Sequence, residues 1–494
     1  MNEKQRIIKD AIYYTASSYI CQLLGVVTSV LIKWFLGPSL TGIWTTLQVV
    51  LRYSIWSHLG ILPAAAREIP YFRGKGDEYE ASNIRDLSFC FSLIMSCIAG
   101  IAIFTWTMIN GDKFPHHVIF GIRMISLIVI ATSVYNFYLV ALGGYKNFSF
   151  LSKLTVFNAL MTLILVVILV PRFNIYGLYF ATLFNALLSI AYAVIHTRYK
   201  IRFKIEWKKI IALLKIGIPL IFGGFVFTIF MSIDKIMIVK MLGAEKLGFY
   251  TIAIMGVTYA YALPTNLSIV MFPRFQERFS LNDSVEDIKK YFLDLMLVML
   301  CILPTLLGVL YFIVPVMVHY VLPKFTPGIT SFKILIIGCF FLSFSPVNSN
   351  FLVTLNKQLK LAGITIIAIF LNILLNYYFI KVKKLGIEGA AIGTFVGYFS
   401  YFVVLNLYSM THFMKIVDTL LFLLKPFIVF IYFVASIALL EFTLNIHQVL
   451  VDGLVKSVLI TIIMLPILIW GNKRFGFFGH FKDAFIMRFK SGKA

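Results

Sequence analysis

Acidic residues are scarce in this 494-residue chain: 21 Asp and Glu stand against 44 Lys and Arg, a net charge of +23. Charged residues of either sign make up only 13% of the chain, whereas 60% is hydrophobic and the mean hydropathy is +0.91. A water-soluble domain with so little charge would expose more apolar surface than water tolerates, so the solvent must be lipid. The basic surplus, which in a soluble protein would suggest nucleic acid, then points to loops facing anionic lipid, and no nucleic-acid partner is expected. Cysteine is also rare. Cys21, Cys90, Cys97, Cys301 and Cys339 all fall in apolar segments without metal-ligand spacing, which excludes loop disulfides and a metal site and leaves small core residues. No Gly-x4-Gly-Lys-Ser/Thr stretch occurs, so ATP hydrolysis is excluded, and no cofactor is implied.

What the chain does have is long apolar runs. A helix needs about 20 apolar residues to cross the hydrocarbon. Breaks at charge, Gly and Pro clusters give about fourteen spans: 11–32, 41–64, 87–109, 117–142, 150–170, 174–196, 210–239, 247–272, 291–320, 327–354, 360–380, 385–408, 416–440 and 449–470. The fold expected is therefore an all-α integral membrane protein. The first run is too long for a signal h-region and lacks a small-residue cleavage site, so it reads as a retained span. Lys and Arg favour alternate connections by roughly three to one, which places both termini in the cytoplasm. The heaviest basic clusters are "RYKIRFKIEWKK" (198–209) and the tail from Lys473, which hold topology, the alternative being a specific lipid-regulatory site. Phe478, Phe481, Phe485 and Phe489 recur at helical spacing in that tail, as in a helix lying on the membrane surface. Ser284-Val-Glu-Asp287 resembles a capping box and predicts the start of an amphipathic surface helix. No external connection exceeds about a dozen residues, which excludes a folded extracytoplasmic domain.

A repeat organises the spans. "FLGPSLTGIW" (35–44) is echoed 206 residues later by "MLGAEKLGFY" (241–250), which pairs Gly37 with Gly243 and Gly42 with Gly248. "LVAL" (139–142) returns as "LVTL" (352–355), Asn158 as Asn372, and "NIYGLYFATLF" (174–184) as "GIEGAAIGTFV" (386–396). The unit is six helices, an even number, so both copies start on the same side and are related by an axis along the membrane normal. This predicts a six-helix lobe at 1–197, a basic cytoplasmic linker at 198–209, and a second lobe at 210–408. Helices thirteen and fourteen follow at 409–470, then a basic amphipathic tail at 471–494. Two such bundles leave a cleft, and rocking one on the other gives alternating access. The four glycines are structural turns, serving left-handed backbone and close packing.

These features resemble a known family. The spans, the duplicated half, "LGPSLTGIW" with "LG-ILPAAAREI", and "DKIMIVKMLGAEKLGFYTIA" (234–253) are similar to the polysaccharide-transport family of the multidrug/oligosaccharidyl-lipid/polysaccharide (MOP) flippase superfamily. The resemblance is to Wzx-type flippases and covers nearly the whole chain. It implies a transporter, not an enzyme, that moves undecaprenyl-diphosphate-linked oligosaccharide across the bacterial cytoplasmic (inner) membrane. The substrate would be an O-antigen, capsule or exopolysaccharide repeat unit. Membrane lipids, and polysaccharide polymerase and chain-length proteins, are the partners so implied. Three rival readings remain: a lipid II flippase, a multidrug cation antiporter, whose cleft should be acidic, and a membrane glycosyltransferase or polymerase, which should carry acids in a large external loop.

Seven basic residues interrupt the spans: Arg52, Arg123, Lys215, Lys235, Lys333, Lys425 and Lys456. Facing lipid, each would cost about 2.5–3.5 kcal/mol at the bilayer centre. Lys215, Lys333 and Lys425 lie near span ends and can snorkel. Arg52 lies on a polar stripe, Thr41, Thr45, Gln48, Arg52 and Trp56, that must face water or another polar helix. Arg123 continues Ser126, Ser133 and Asn136, and Lys235 shares a face with Thr228 and Ser232. Either these cations make separate structural pairs, or Arg52, Arg123 and Lys235, with Gln48 and Trp56, line a cationic cleft between the lobes. Such a cleft fits a diphosphate, which Arg contacts bidentately and Lys as a point charge. Asp234 is the one clear acid inside a span; it serves either a structural pair or H+ or Na+ coupling.

Overall fold

The structure is a computed structural model that describes residues 3–197, 199–282 and 284–475. The tail phenylalanines from Phe478 onward lie outside the described residues. Fifteen α-helices occur among those described: α1 (Glu3–Ile55), α2 (Ile61–Gly74), α3 (Glu78–Asn110), α4 (His116–Gly144), α5 (Phe148–Thr197), α6 (Trp207–Phe230), α7 (Ile233–Leu242), α8 (Ala244–Asn282), α9 (Val285–Val321), α10 (Ile329–Leu342), α11 (Ser345–Thr354), α12 (Gln358–Tyr377), α13 (Gly386–Met410), α14 (Ile416–Thr443) and α15 (Val449–Phe475). Helix dominates because lipid offers no partner for an exposed amide, so each segment must satisfy its own backbone.

Twelve helical stretches among the described residues are long and apolar enough to cross a membrane, against the fourteen expected. The difference lies in α1 and α5, where expected spans one and two, and five and six, run together. Each is broken inside, α1 at Gly37 (φ 67°, ψ −179°) and α5 at Asn174 (φ 51°, ψ −131°). In α5 the main chain of Gly177 lies against the Leu169 carbonyl. In an unbroken helix those residues would be about 12 Å apart, so the chain folds back at Asn174. Continuous at 1.5 Å per residue, α5 would be about 75 Å long, far more than the roughly 30 Å of hydrocarbon.

The sequence echoes have structural counterparts. Gly37 and Gly243 share a positive φ with extended ψ, and Asn174 and Gly386 both have positive φ. Lys146 and Asn356 are both left-handed at φ 56° and close the same cap. Asn147 N donates to the Leu142 carbonyl at 2.9 Å, and Lys357 N donates to the Leu352 carbonyl at 2.8 Å. This equivalence matches Leu142 with Leu352, three residues away from the register that the "LVAL"/"LVTL" letters propose; the hydrogen bonds define the cap, and apolar letters slide.

Contacts divide the chain into two compact units, Met1–Thr251 and Ile252–Ala494. The core of the first unit packs Leu47, Ile125, Ile128 and Tyr179 from α1, α4 and α5, and Ile61, Ala65, Leu87 and Leu142 from α2, α3 and α4. The second unit is built on aromatics, with Phe341 touching Phe395, Phe399, Phe402 and Phe430. Lys333, expected to snorkel near a span end, meets Glu441 (2.6 Å); Lys456 meets Asp452 within α15 (2.8 Å) and reaches Glu441 at 4.0 Å, so Glu441 ties α10, α14 and α15 together. Ser284 does stand at the N-cap of α9, but its side chain makes no capping bond. No separate surface helix forms, because α9 continues unbroken to Val321.

Reporter fusions check the topology that the basic residues set. Fusions after Lys113, Lys246 and Lys383 are expected to read external, and those after Lys204, Glu286 and Gly492 cytoplasmic. A cytoplasmic signal at Lys246 would put the second glycine turn on the wrong face and end the two-lobe reading.

Candidate functional site

Three chain breaks in the first unit create the site. Expected span two is interrupted: α1 stops at Ile55, a 3₁₀ turn covers Trp56–His58, and left-handed Leu59 and Gly60 lead into α2. Gly60 fits because its main chain lies directly on that of Gly217 in α6, leaving no room for a side chain at either. Expected span seven is also interrupted, at Met231 and Ser232 between α6 and α7. A third break, at Gly243, ends α7 and begins α8. Broken helices inside a membrane expose backbone groups that only polar side chains, water or ligand can satisfy.

The polar residues sit at these breaks. Lys235 Nζ donates to the Met231 carbonyl at 2.7 Å. Asp234 Oδ1 accepts from the Lys235 amide (2.8 Å), and Oδ2 accepts from the Tyr250 hydroxyl of α8 (3.0 Å). Both Asp234 and Lys235 are buried, yet no ammonium or guanidinium lies within ion-pair distance of the Asp234 carboxylate among the described residues. Tyr53 and Ser232 bridge α1 to the second break at 2.6 Å. Trp56 packs on Gly224 and, with Tyr53, edges Phe225 of α6.

Arg52, in the last turn of α1, is exposed and makes no hydrogen bond or ion pair among the described residues; nor does Gln48. The neighbouring Tyr53 hydrogen-bonds Ser232, which holds this end of α1 against the helix break that Lys235 caps. A buried lysine, an exposed unpaired arginine and a helix end thus form a cationic surface with spare donors. The structure does not bring Arg123 into this group. Its Nε donates to Thr107 Oγ1 (3.3 Å) and its guanidinium lies over Phe104, so it is engaged by α3.

The two glycine turns meet. A Cβ on Gly42 would overlap the Ala244 carbonyl, and one on Gly248 would overlap the Pro38 carbonyl. Ala244 follows Pro38 by the same 206 residues that separate Gly248 from Gly42, so the two contacts are reciprocal copies. Gly37 and Gly243 have nothing within 4 Å of such a Cβ; their positive φ is what needs glycine.

A family described as polysaccharide biosynthesis protein matches residues 77–324, half of the chain. The chain belongs to the polysaccharide biosynthesis protein family. No curated protein sequence matches it. Solved structures share the fold of this polysaccharide biosynthesis protein. A lipid II flippase, MurJ, in an inward closed conformation aligns at TM-score 0.68 and 13% identity, over 92% of this chain and 98% of its own. An inward-facing multidrug resistance MATE family transporter of the MOP superfamily aligns at 0.65 and 18%, over 81% and 95%. A MOP superfamily transporter from Pyrococcus furiosus, described as having a binding pocket of reverse polarity, aligns at 0.61 and 15%, over 83% and 96%. The chain is thus a multi-pass membrane protein with the MOP transporter fold. The family match spans Asp234, Lys235, Gly243 and Gly248 but stops short of Arg52, Gln48, Trp56, Gly37 and Gly42.

Two residues of this polysaccharide biosynthesis protein escape a reading by spans. Lys33, one residue beyond the expected end of span one, is buried inside α1 and donates to Ser29 Oγ at 2.8 Å. Tyr250 reads as one aromatic among 25 tyrosines, yet its hydroxyl is the Asp234 partner. The four-residue spacing of Ser29 and Lys33 was a usable signal for the first; nothing local marked the second.

Proposed function

We propose that this protein is a flippase for undecaprenyl-diphosphate-linked oligosaccharide in the bacterial cytoplasmic membrane, with both termini cytoplasmic. The substrate is the repeat unit of an O-antigen, capsule or exopolysaccharide. The observation that carries the reading is Arg52, a guanidinium unpartnered among the described residues at the end of α1, which Tyr53 ties to the helix break that Lys235 caps, in a member of a polysaccharide biosynthesis family. A diphosphate has the charge and the adjacent oxygens that such a fork binds bidentately. Trp56 and Tyr53 offer ring faces for sugar next to it. The lobes at 1–197 and 210–408 alternate access to this cationic cleft, and a downstream polymerase and chain-length proteins consume the product. The test is which lipid-linked sugar accumulates in the cytoplasmic leaflet when the protein is depleted. Accumulation of lipid II in place of a surface-polysaccharide intermediate would favour the lipid II flippase reading, which the fold likeness to MurJ supports.

Asp234 couples this cycle to H+ or Na+. A buried carboxylate held by a hydroxyl and an amide, without a cation at ion-pair distance, is costly unless it takes up a proton or metal cation during the cycle. Asp234→Asn keeps an acceptor for Tyr250, so the protein is expected at near wild-type abundance with gradient-dependent transport lost. Measured loss of the folded protein instead would assign Asp234 to structure alone.

A further inference from the structure

The basic stretch between α5 and α6 is clipped to the protein along its length. Residues 199–206 are non-helical and run across α3. Arg85 donates to the Lys200 carbonyl (3.1 Å), and Asp86 Oδ2 accepts from the Arg202 amide (3.3 Å). Cys90 Sγ accepts from the Lys204 amide (3.4 Å) and donates to the Arg202 carbonyl (3.7 Å). Lys209 closes the strap on Glu80 at 2.6 Å. Tyr199 and Ile201 turn inward and pack against the core, with Tyr199 on Tyr145. The strap is therefore a fixed surface.

Its outer face is unusual for water. Phe203 is 68% exposed, Trp207 60% and Ile205 42%, interleaved with exposed Lys200, Arg202, Lys204 and Lys208. The one acid, Glu206, is taken by Lys204 and Lys209. The Lys204 contact holds the Glu206 carboxyl below its usual range and Lys204 above, so that pair stays ionised near neutral pH. Lys200, Arg202 and Lys208 have no side-chain partner among the described residues, which leaves three free cations among three exposed apolar side chains. The strap joins the end of one membrane-crossing helix at Thr197 to the start of the next at Trp207, and that fixes it at head-group depth.

We propose that residues 199–208 form a docking face for the anionic phospholipid leaflet. Phe203, Ile205 and Trp207 enter the head-group boundary, and Lys200, Arg202 and Lys208 contact lipid phosphates. Basic side chains at a surface attract anionic lipid individually, and exposed aromatics settle at the same depth. The proposal does not rest on the transport reading. It commits to lipid because the exposed apolar side chains lie between two membrane-crossing helices, where lipid head groups are the solvent.

The test uses the full chain in nanodiscs of equal phosphatidylcholine and phosphatidylglycerol, with the lipids retained on the protein counted by native mass spectrometry. Wild type is expected to retain phosphatidylglycerol preferentially. The triple variant Lys200→Gln, Arg202→Gln, Lys208→Gln is expected to lose that preference by about tenfold or more. Phe203→Ser with Trp207→Ser should lower retention of both lipids. A comparison variant, Lys381→Gln, Lys383→Gln, Lys384→Gln, removes three charges elsewhere and should lower the preference clearly less than the strap triple variant. Equal retention by wild type and the strap triple variant, or equal loss in the two triple variants, would overturn the proposal.

Discussion

Replacing Gly42 or Gly248 with alanine is expected to remove most of the folded protein from the membrane, while Gly363→Ala leaves it unchanged or slightly stabilised. Gly42 and Gly248 lie on main-chain carbonyls, of Ala244 and Pro38, that cannot rotate aside as a side chain can. The turns must separate by the width of a methyl group, and overpacking a close contact costs typically about 1–3 kcal/mol even where flexible side chains share the strain. Gly363 has nothing within 4 Å and sits inside α12, where alanine is the better helix former by roughly 0.5–1 kcal/mol. Gly37→Ala and Gly243→Ala act differently. There is room for the methyl group, but positive φ with ψ near 180° is a region reserved for glycine, at about 1–3 kcal/mol for other residues. Because the two contacts are reciprocal, Gly42→Ala and Gly248→Ala should combine less than additively, since the first already parts the turns. Ala244→Gly should fail to rescue Gly42→Ala, because the clash is with the carbonyl. Thermal stability of a fluorescent fusion, read by size exclusion after heating, reports all of these. Wild-type stability of Gly248→Ala would mean that the turns do not touch in the folded protein.

Arg52→Ala is expected to abolish transport nearly completely at wild-type abundance. The abundance follows from geometry: Arg52 has no partner among the described residues, so its removal strands no buried group. Losing a bidentate contact to a charged ligand should cost on the order of 1.5–3 kcal/mol, a factor of ten or more in affinity. Arg52→Lys keeps the charge without the planar fork and should be intermediate. Arg52→Glu should be worst, since it repels a diphosphate and can pair with the nearby Lys235. Lys235→Ala is the contrasting variant. It leaves the Met231 carbonyl without its ammonium at a helix break, so it should lower stability as well as transport. The measurement is flipping of lipid-linked sugar by each variant at matched membrane abundance. Wild-type flipping by Arg52→Ala would remove the central residue of the cationic-cleft mechanism.

The sequence by itself determined the solvent, the helix class, the repeat and the two glycine turns. Each of these follows from local chemistry: apolar length, the lack of acid, and the backbone freedom of glycine. Periodicity also isolated Arg52, because a guanidinium on an apolar helix stands out whatever surrounds it. Tertiary structure decided where the helices break and what each charge meets. The polar stripe through Trp56 looks continuous in sequence, yet α1 ends at Ile55 because Gly60 must press against Gly217, 157 residues away in the chain. Arg123 has the same intramembrane signature as Arg52, but Thr107 engages it. Tyr250 carries no local sign of its role, since only the turn at Gly243 folds α8 back to bring its hydroxyl to Asp234. Apolar length and glycine are legible one residue at a time. Pairing is not, because it depends on which distant backbone comes close enough to exclude everything but the partner.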